Sequence, residues 1–134
     1  MPVMPKDLAL PGLVTCVALL VYLGLTMNVG RARVKFNVPA PAVSGNPDFE
    51  RVVRVQQNTV EQIILFLPSL WMCSILFSAK VAAILGGTWC LGRILYAIGY
   101  YSAANKRGPG FGITFLSSLG LLGCAAVGAV QLMM

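Results

Sequence analysis

Four long apolar stretches divide the chain, and each gap between them holds charge, proline or glycine. The first, Leu8 to Met27, runs twenty residues without a charged side chain. It is longer than the apolar core of a signal peptide, and Asn28-Val29-Gly30-Arg31 does not resemble a cleavage site. About 20 apolar residues in a helix cross a bilayer, so the stretch predicts a transmembrane helix over about residues 8–33. Pro39, Pro41, Gly45 and Pro47 then mark a loop, with Asp48 the expected N-cap of the next helix.

A second helix is expected over about 49–79. Its first half is amphiphilic, carrying Arg51, Arg54, Gln56, Gln57, Asn58, Glu61 and Gln62, and its second half, Ile63 to Ala79, is apolar. Pro68 inside it predicts a kink or the loss of one backbone hydrogen bond. After a short turn at Lys80, a third helix is expected over about 81–105, interrupted only by Arg93. The run Asn105-Lys106-Arg107-Gly108-Pro109-Gly110 reads as a helix stop. The fourth helix, about 111–133, is uncharged, and Gly120, Cys124 and Gly128 recur along it at the spacing that permits close helix contact.

Composition sharpens this picture. Of 134 residues, 57% are hydrophobic and only 10% charged, against about 25% in soluble domains. The expected fold is all-α, a bundle of four transmembrane helices forming one integral membrane domain over 1–134, with no room for a separate soluble catalytic unit. The formal net charge of +6 is concentrated at Arg31, Arg33, Lys35, Arg51 and Arg54, and again at Lys106 and Arg107. The positive-inside rule therefore puts the first and third connections in the cytoplasm and both termini on the far side. In this setting the cations meet lipid headgroups rather than nucleic acid. Cys16, Cys73, Cys90 and Cys124 lie in apolar stretches without a CxxC spacing and read as small hydrophobes. The chain has no histidine, so the commonest general base and the commonest metal ligand are missing, and no metal is expected.

Two ionisable residues, Glu61 and Arg93, interrupt the apolar helices. A charge at bilayer depth costs a few kcal/mol or more and usually faces a bundle interior or a wet cavity. Arg54, Asn58 and Glu61 share one helical face. Arg93, Tyr96, Tyr100 and Arg107 share another, provided the third helix continues. An antiparallel pairing brings both stripes to the same end of the bundle. Two or more guanidinium forks with one carboxylate, amides and phenols suit a small zwitterion carrying more than one carboxylate. Two plainer readings stay open: Glu61 and Arg93 as an interhelical ion pair, and the tyrosines as interfacial belt residues. Lys106 reads as a headgroup contact, and Arg31, Lys35 and Arg51 fall off the stripes as headgroup or loop residues.

The segment Phe49-Glu50-Arg51-Val52-Val53-Arg54-Val55-Gln56-Gln57-Asn58-Thr59-Val60-Glu61 resembles the second-helix signature of the MAPEG membrane proteins, the microsomal glutathione transferases and cysteinyl-leukotriene synthases. Gly92-Arg93-Ile94-Leu95-Tyr96-Ala97-Ile98-Gly99-Tyr100-Tyr101 resembles their third-helix signature, and the likeness extends over nearly the whole chain. The resemblance implies a homotrimer with glutathione as co-substrate, bound between neighbouring subunits near the cytosolic face. It implies that Arg33, Arg54, Gln56, Asn58, Glu61, Arg93, Tyr96 and Tyr100 form the glutathione site. It makes Arg107 the residue that activates the thiol. Gln62 and Val34 depart from the leukotriene-synthase pattern, which has a tyrosine and a second arginine there.

The chemistry of Arg107 fits that role. A thiol reacts as the thiolate, and a free thiol with a pKa of about 8.5 is mostly protonated at neutral pH. A fixed guanidinium beside the sulfur stabilises the anion without a proton acceptor. The expected second substrate is a lipophilic electrophile or a lipid hydroperoxide arriving from membrane lipid, in a bacterial inner membrane or the endoplasmic reticulum. Two rivals stand: a non-catalytic lipid-binding scaffold of the same fold, and a small multidrug transporter using Glu61 to exchange protons.

Overall fold

The computed structural model describes residues 4–134. A short 3-10 turn, Pro5–Leu8, leads into α1 (Ala9–Phe36), followed by α2 (Pro47–Leu76) and α3 (Ala79–Ser102). A second 3-10 turn, Ala104–Arg107, runs directly into α4 (Gly108–Met133). All four helices are long and apolar enough to cross a membrane. Helices α2 and α3 form the centre, with α1 packed against both and α4 packed against both. The protein is an integral membrane protein.

The helix ends reflect local chemistry. Asn46, rather than Asp48, caps α2: its Oδ1 accepts from the backbone N–H of Asp48 at 2.9 Å and of Phe49 at 3.1 Å. Pro47 sits at the first helical position, where its missing N–H costs nothing. Asp48 is left free to pair with Arg51 one turn on. Ser78 caps α3 by accepting from Val81 N at 3.2 Å. Gly108-Pro109-Gly110 lies inside α4 rather than before it, because Pro109 again occupies a first-turn position. Helix α2 continues through Pro68, which leaves the carbonyl of Ile64 without its helical donor.

Lipid is the solvent for most of the surface. Leu20, Leu23, Ile64, Leu91, Ile98 and Leu116 are all exposed. Inside, Phe66 stacks on Trp89 with ring centroids 4.0 Å apart and planes 5° from parallel, surrounded by Ala18, Leu70, Leu121 and Ala125. Three buried hydroxyls are satisfied by their own helices: Thr59 donates to Val55 O at 2.7 Å, Ser74 to Leu70 O at 2.7 Å and Ser117 to Ile113 O at 2.8 Å. That is the solution available where no water exists to take the proton. Cys73 and Cys90 are buried, whereas Cys16 is exposed on α1.

At 30 residues, α2 is about 45 Å long, against a hydrocarbon core of about 30 Å. Its polar N-terminal turns therefore project into the headgroup layer. There the chain is drawn tight by two glycines. A Cβ on Gly99 would collide with the carbonyl of Lys106, and one on Gly110 with the backbone of Tyr96. Only a hydrogen side chain lets the Lys106–Arg107 turn and the start of α4 lie this close to α3.

Candidate functional site

Close approach at Gly99 and Gly110 makes one cavity at the polar end of α2. It has a volume of about 420 Å³ and is lined by Arg54, Asn58, Tyr96, Tyr100, Arg107 and Phe111. The two stripes read from helical spacing thus converge, but Arg107 arrives by a different route. Helix α3 ends at Ser102 and Ala103 is extended, so Arg107 does not continue the α3 stripe. The 3-10 turn folds it back over Tyr100, with its guanidinium carbon 5.6 Å from that ring's centroid. Its Nη1 donates to Ala104 O at 2.8 Å, which leaves the rest of the fork free. Tyr96 and Tyr100 meet edge to face at 5.6 Å.

Arg93 stands behind this cavity rather than in it. It is 0% exposed. Its Nη1 donates to Asn58 Oδ1 at 2.7 Å and more weakly to Thr59 Oγ1 at 3.4 Å, and its Nη2 donates to Thr114 Oγ1 at 2.9 Å. Its guanidinium carbon lies 4.3 Å from the Tyr96 ring centroid. One side chain thereby ties α2, α3 and α4 together. Arginine has no acceptor, so the amide oxygen of Asn58 is committed to it and the amide N–H groups are left for the cavity. Two arginine forks, an amide donor and two phenols make the lining a receptor for anionic oxygen, with Phe111 its only apolar side chain.

Three other expected residues lie elsewhere on the molecule. Glu61 follows Asn58 on the same face of α2 but is exposed and does not line the cavity. It makes no ion pair with Arg93; among the described residues the only salt bridge joins Arg51 to Asp48. Gln56 is about 200° around the helix from Arg54 and donates from Nε2 to Tyr22 Oη on α1 at 3.2 Å. Arg33 donates from Nη1 to Ala42 O at 2.7 Å and to Val38 O at 3.4 Å, with its guanidinium carbon 5.1 Å from the Phe49 ring centroid. Arg33 and Gln56 thus share the α1 side of the molecule, away from Arg54 and Asn58.

Sequence reasoning passed over Phe111, Thr59 and Thr114. An aromatic residue in an uncharged helix reads as lipid-facing, and a threonine reads as neutral. Their one signal was position: Thr59 adjoins Asn58, and Thr114 is the first hydroxyl of α4. The belt reading of Tyr96 does not hold, since the residue is only 2% exposed. Of the two departures, Gln62 has its Oε1 buried without a partner, whereas Val34 is 85% exposed. Among the described residues no cluster of His, Cys, Asp or Glu suits a metal ion.

The family profile described as MAPEG family matches residues 11–127. An uncharacterized protein of Synechocystis is 56% identical over 84% of this chain and 82% of its own length. Human microsomal glutathione S-transferase 2 is 45% identical over 74% of this chain and 71% of its own. Mouse leukotriene C4 synthase is 38% identical over 78% of this chain and 69% of its own.

Proposed function

Because the chain belongs to the MAPEG family, we propose that it is a membrane-bound glutathione transferase, joining glutathione thiolate to lipophilic electrophiles. The observation that carries this reading is the convergence of Arg54, Asn58, Tyr96, Tyr100 and Arg107 on one cavity of about 420 Å³, within the size range of small-molecule sites. Glutathione is a tripeptide with two carboxylates and one thiol. Arg54 and the Asn58 amide supply donors for a carboxylate or peptide carbonyl, and Arg107 lines the same space from the turn before α4.

In this reading the guanidinium of Arg107 holds the sulfur as the thiolate, and the thiol proton leaves to water. The thiolate attacks the electrophilic carbon, a carbon–sulfur bond forms and the leaving group departs with its electron pair. With a hydroperoxide, the thiolate takes the terminal oxygen as a sulfenic acid and releases an alcohol. A second glutathione then displaces water to give the disulfide.

The assembly is a homotrimer with the site between subunits. Supporting it is the division of the polar residues into two faces. Arg54, Asn58 and Glu61 lie on one, and Arg33 and Gln56 on the other, so no single subunit presents both to one ligand. A neighbouring subunit that brings its Arg33 face to this cavity also covers the exposed Glu61, relieving the cost of a carboxylate facing lipid. The first and third connections, and with them the cavity, lie on the cytoplasmic side, as their cations favour.

Calorimetric titration of the purified protein with glutathione tests the reading. Binding together with turnover of a chromogenic aryl halide supports the transferase. Absence of glutathione binding favours the lipid-binding scaffold, which needs none of the five cavity residues.

A further inference from the structure

A second and larger cavity, about 650 Å³, opens at the same end of the bundle between α1, the start of α2 and the end of α3. Its α1 wall carries Asn28, Arg31 and Lys35, which fall on one helical face. Arg33 lies about 200° away from Arg31, so this cavity sits on the opposite side of α1 from Arg33. Tyr101, at the end of α3, lines the same cavity, and its buried hydroxyl lies beside the Asn28 amide. The one carboxylate in the lining, Asp48, is already paired with Arg51. Arg51 also donates from Nε to Tyr101 O at 3.4 Å, pinning that wall. The cavity therefore holds two uncompensated cations, an amide and a buried phenol, beside the apolar Phe36 and Val52.

Continuing down the same face of α1 toward the bilayer centre, Met27, Gly24 and Leu20 stand below Arg31. Met27 and Leu20 are exposed, and the space at Gly24 is open. The result is a polar cationic cup at headgroup depth above an apolar track at acyl-chain depth.

We propose that this cavity is a binding site for an anionic phospholipid, with the phosphodiester held by Arg31 and Lys35 and an acyl chain lying along Leu20, Gly24 and Met27. Charge complementarity selects an anionic headgroup over a zwitterionic one. The track selects a lipid over free phosphate. The proposal does not rest on the transferase reading, since none of these side chains lines the other cavity.

The test is native mass spectrometry of the full chain in detergent, titrated with phosphatidylglycerol, phosphatidylcholine or inorganic phosphate. Wild-type protein is expected to retain phosphatidylglycerol selectively. In R31Q/K35Q its affinity is expected to fall about thirtyfold, the effect of two headgroup-level cations. Equal affinity for phosphatidylcholine, an unchanged double variant, or inorganic phosphate displacing the lipid at equal concentration each overturns the proposal. Should R31Q/K35Q fail to fold, a photoreactive phosphatidylglycerol on wild-type protein decides instead. Crosslinks at Leu20 to Met27 support the site. Crosslinks confined to other helices, as when a neighbouring subunit covers the cup, refute it.

Discussion

Arg93 Nη1 donates to Asn58 Oδ1 at 2.7 Å, and this contact faces a cavity that Asn58 lines and Arg93 does not. The buried cation orients the amide and leaves its N–H groups facing the cavity. A pair coupled this way loses its effect when either member is removed.

Replacing either residue should accordingly weaken glutathione binding by a similar amount. A hydrogen bond to a charged group contributes about 1.5–3 kcal/mol, so N58A and R93M should each raise Kd by roughly tenfold or more. The double variant should cost little beyond either single one, because both remove the same interaction. Calorimetry on the four proteins closes the cycle, and fully additive losses contradict the coupling. R93M should also lower thermal stability, since Thr114 and Asn58 lose their buried partner.

Arg107→Ala should reduce turnover at neutral pH about 25-fold while leaving glutathione binding near wild type. That figure corresponds to a thiol pKa rising from about 6.5 to about 8.5 when the cation is lost, which takes the thiolate at pH 7 from about three-quarters to about 3%. Without the guanidinium the thiolate forms only at higher pH, so the pH–rate profile of R107A shifts to the alkaline side and approaches wild type there. Stopped-flow absorbance of thiolate formation on adding glutathione measures this directly. Unchanged thiolate formation would remove Arg107 from the mechanism.

Gly110→Ala should destabilise the fold by about 1–3 kcal/mol, because the added methyl meets the backbone of Tyr96. Displacing the start of α4 also moves the Arg107 turn, so turnover should fall together with the melting temperature. Gly112→Ala, where a Cβ meets nothing within 4 Å, is the matched control and should change neither by much. Thermal unfolding in detergent and aryl-halide turnover distinguish the pair.

Subunit mixing tests the shared site. R33A and R54A protein should each show weak glutathione-dependent turnover. Co-assembled in equal amounts, they should recover about a quarter of wild-type sites, since one interface in four then joins an intact Arg54 face to an intact Arg33 face under cyclic symmetry. Recovery no greater than the mean of the two parents would argue that a single subunit suffices.

Much of this molecule is legible in its residues because lipid is an unforgiving solvent. Four long apolar stretches must be helices, and a charged side chain such as Arg93 within them must face inward, as it does. Arg54, Asn58, Tyr96 and Tyr100 lie close together for reasons visible in helical spacing. Glu61 shows the limit of that reasoning. Periodicity puts it beside Asn58, but it says nothing of which face of α2 meets another helix, and Glu61 is exposed on the outside of the bundle.

Helical rise and hydrophobic period thus specify the spans and the stripes, since both are properties of one helix and its solvent. Arg107 belongs to neither. Its place over Tyr100 depends on a chain reversal seated on Gly99 and Gly110, and on Pro109 starting α4 at a point that reads as a break. The separation of Arg33 and Gln56 from the cavity likewise comes from how α1 packs on α2. Such contacts join different elements rather than positions of one helix, so they are decided by steric fit between backbones and leave no period to read.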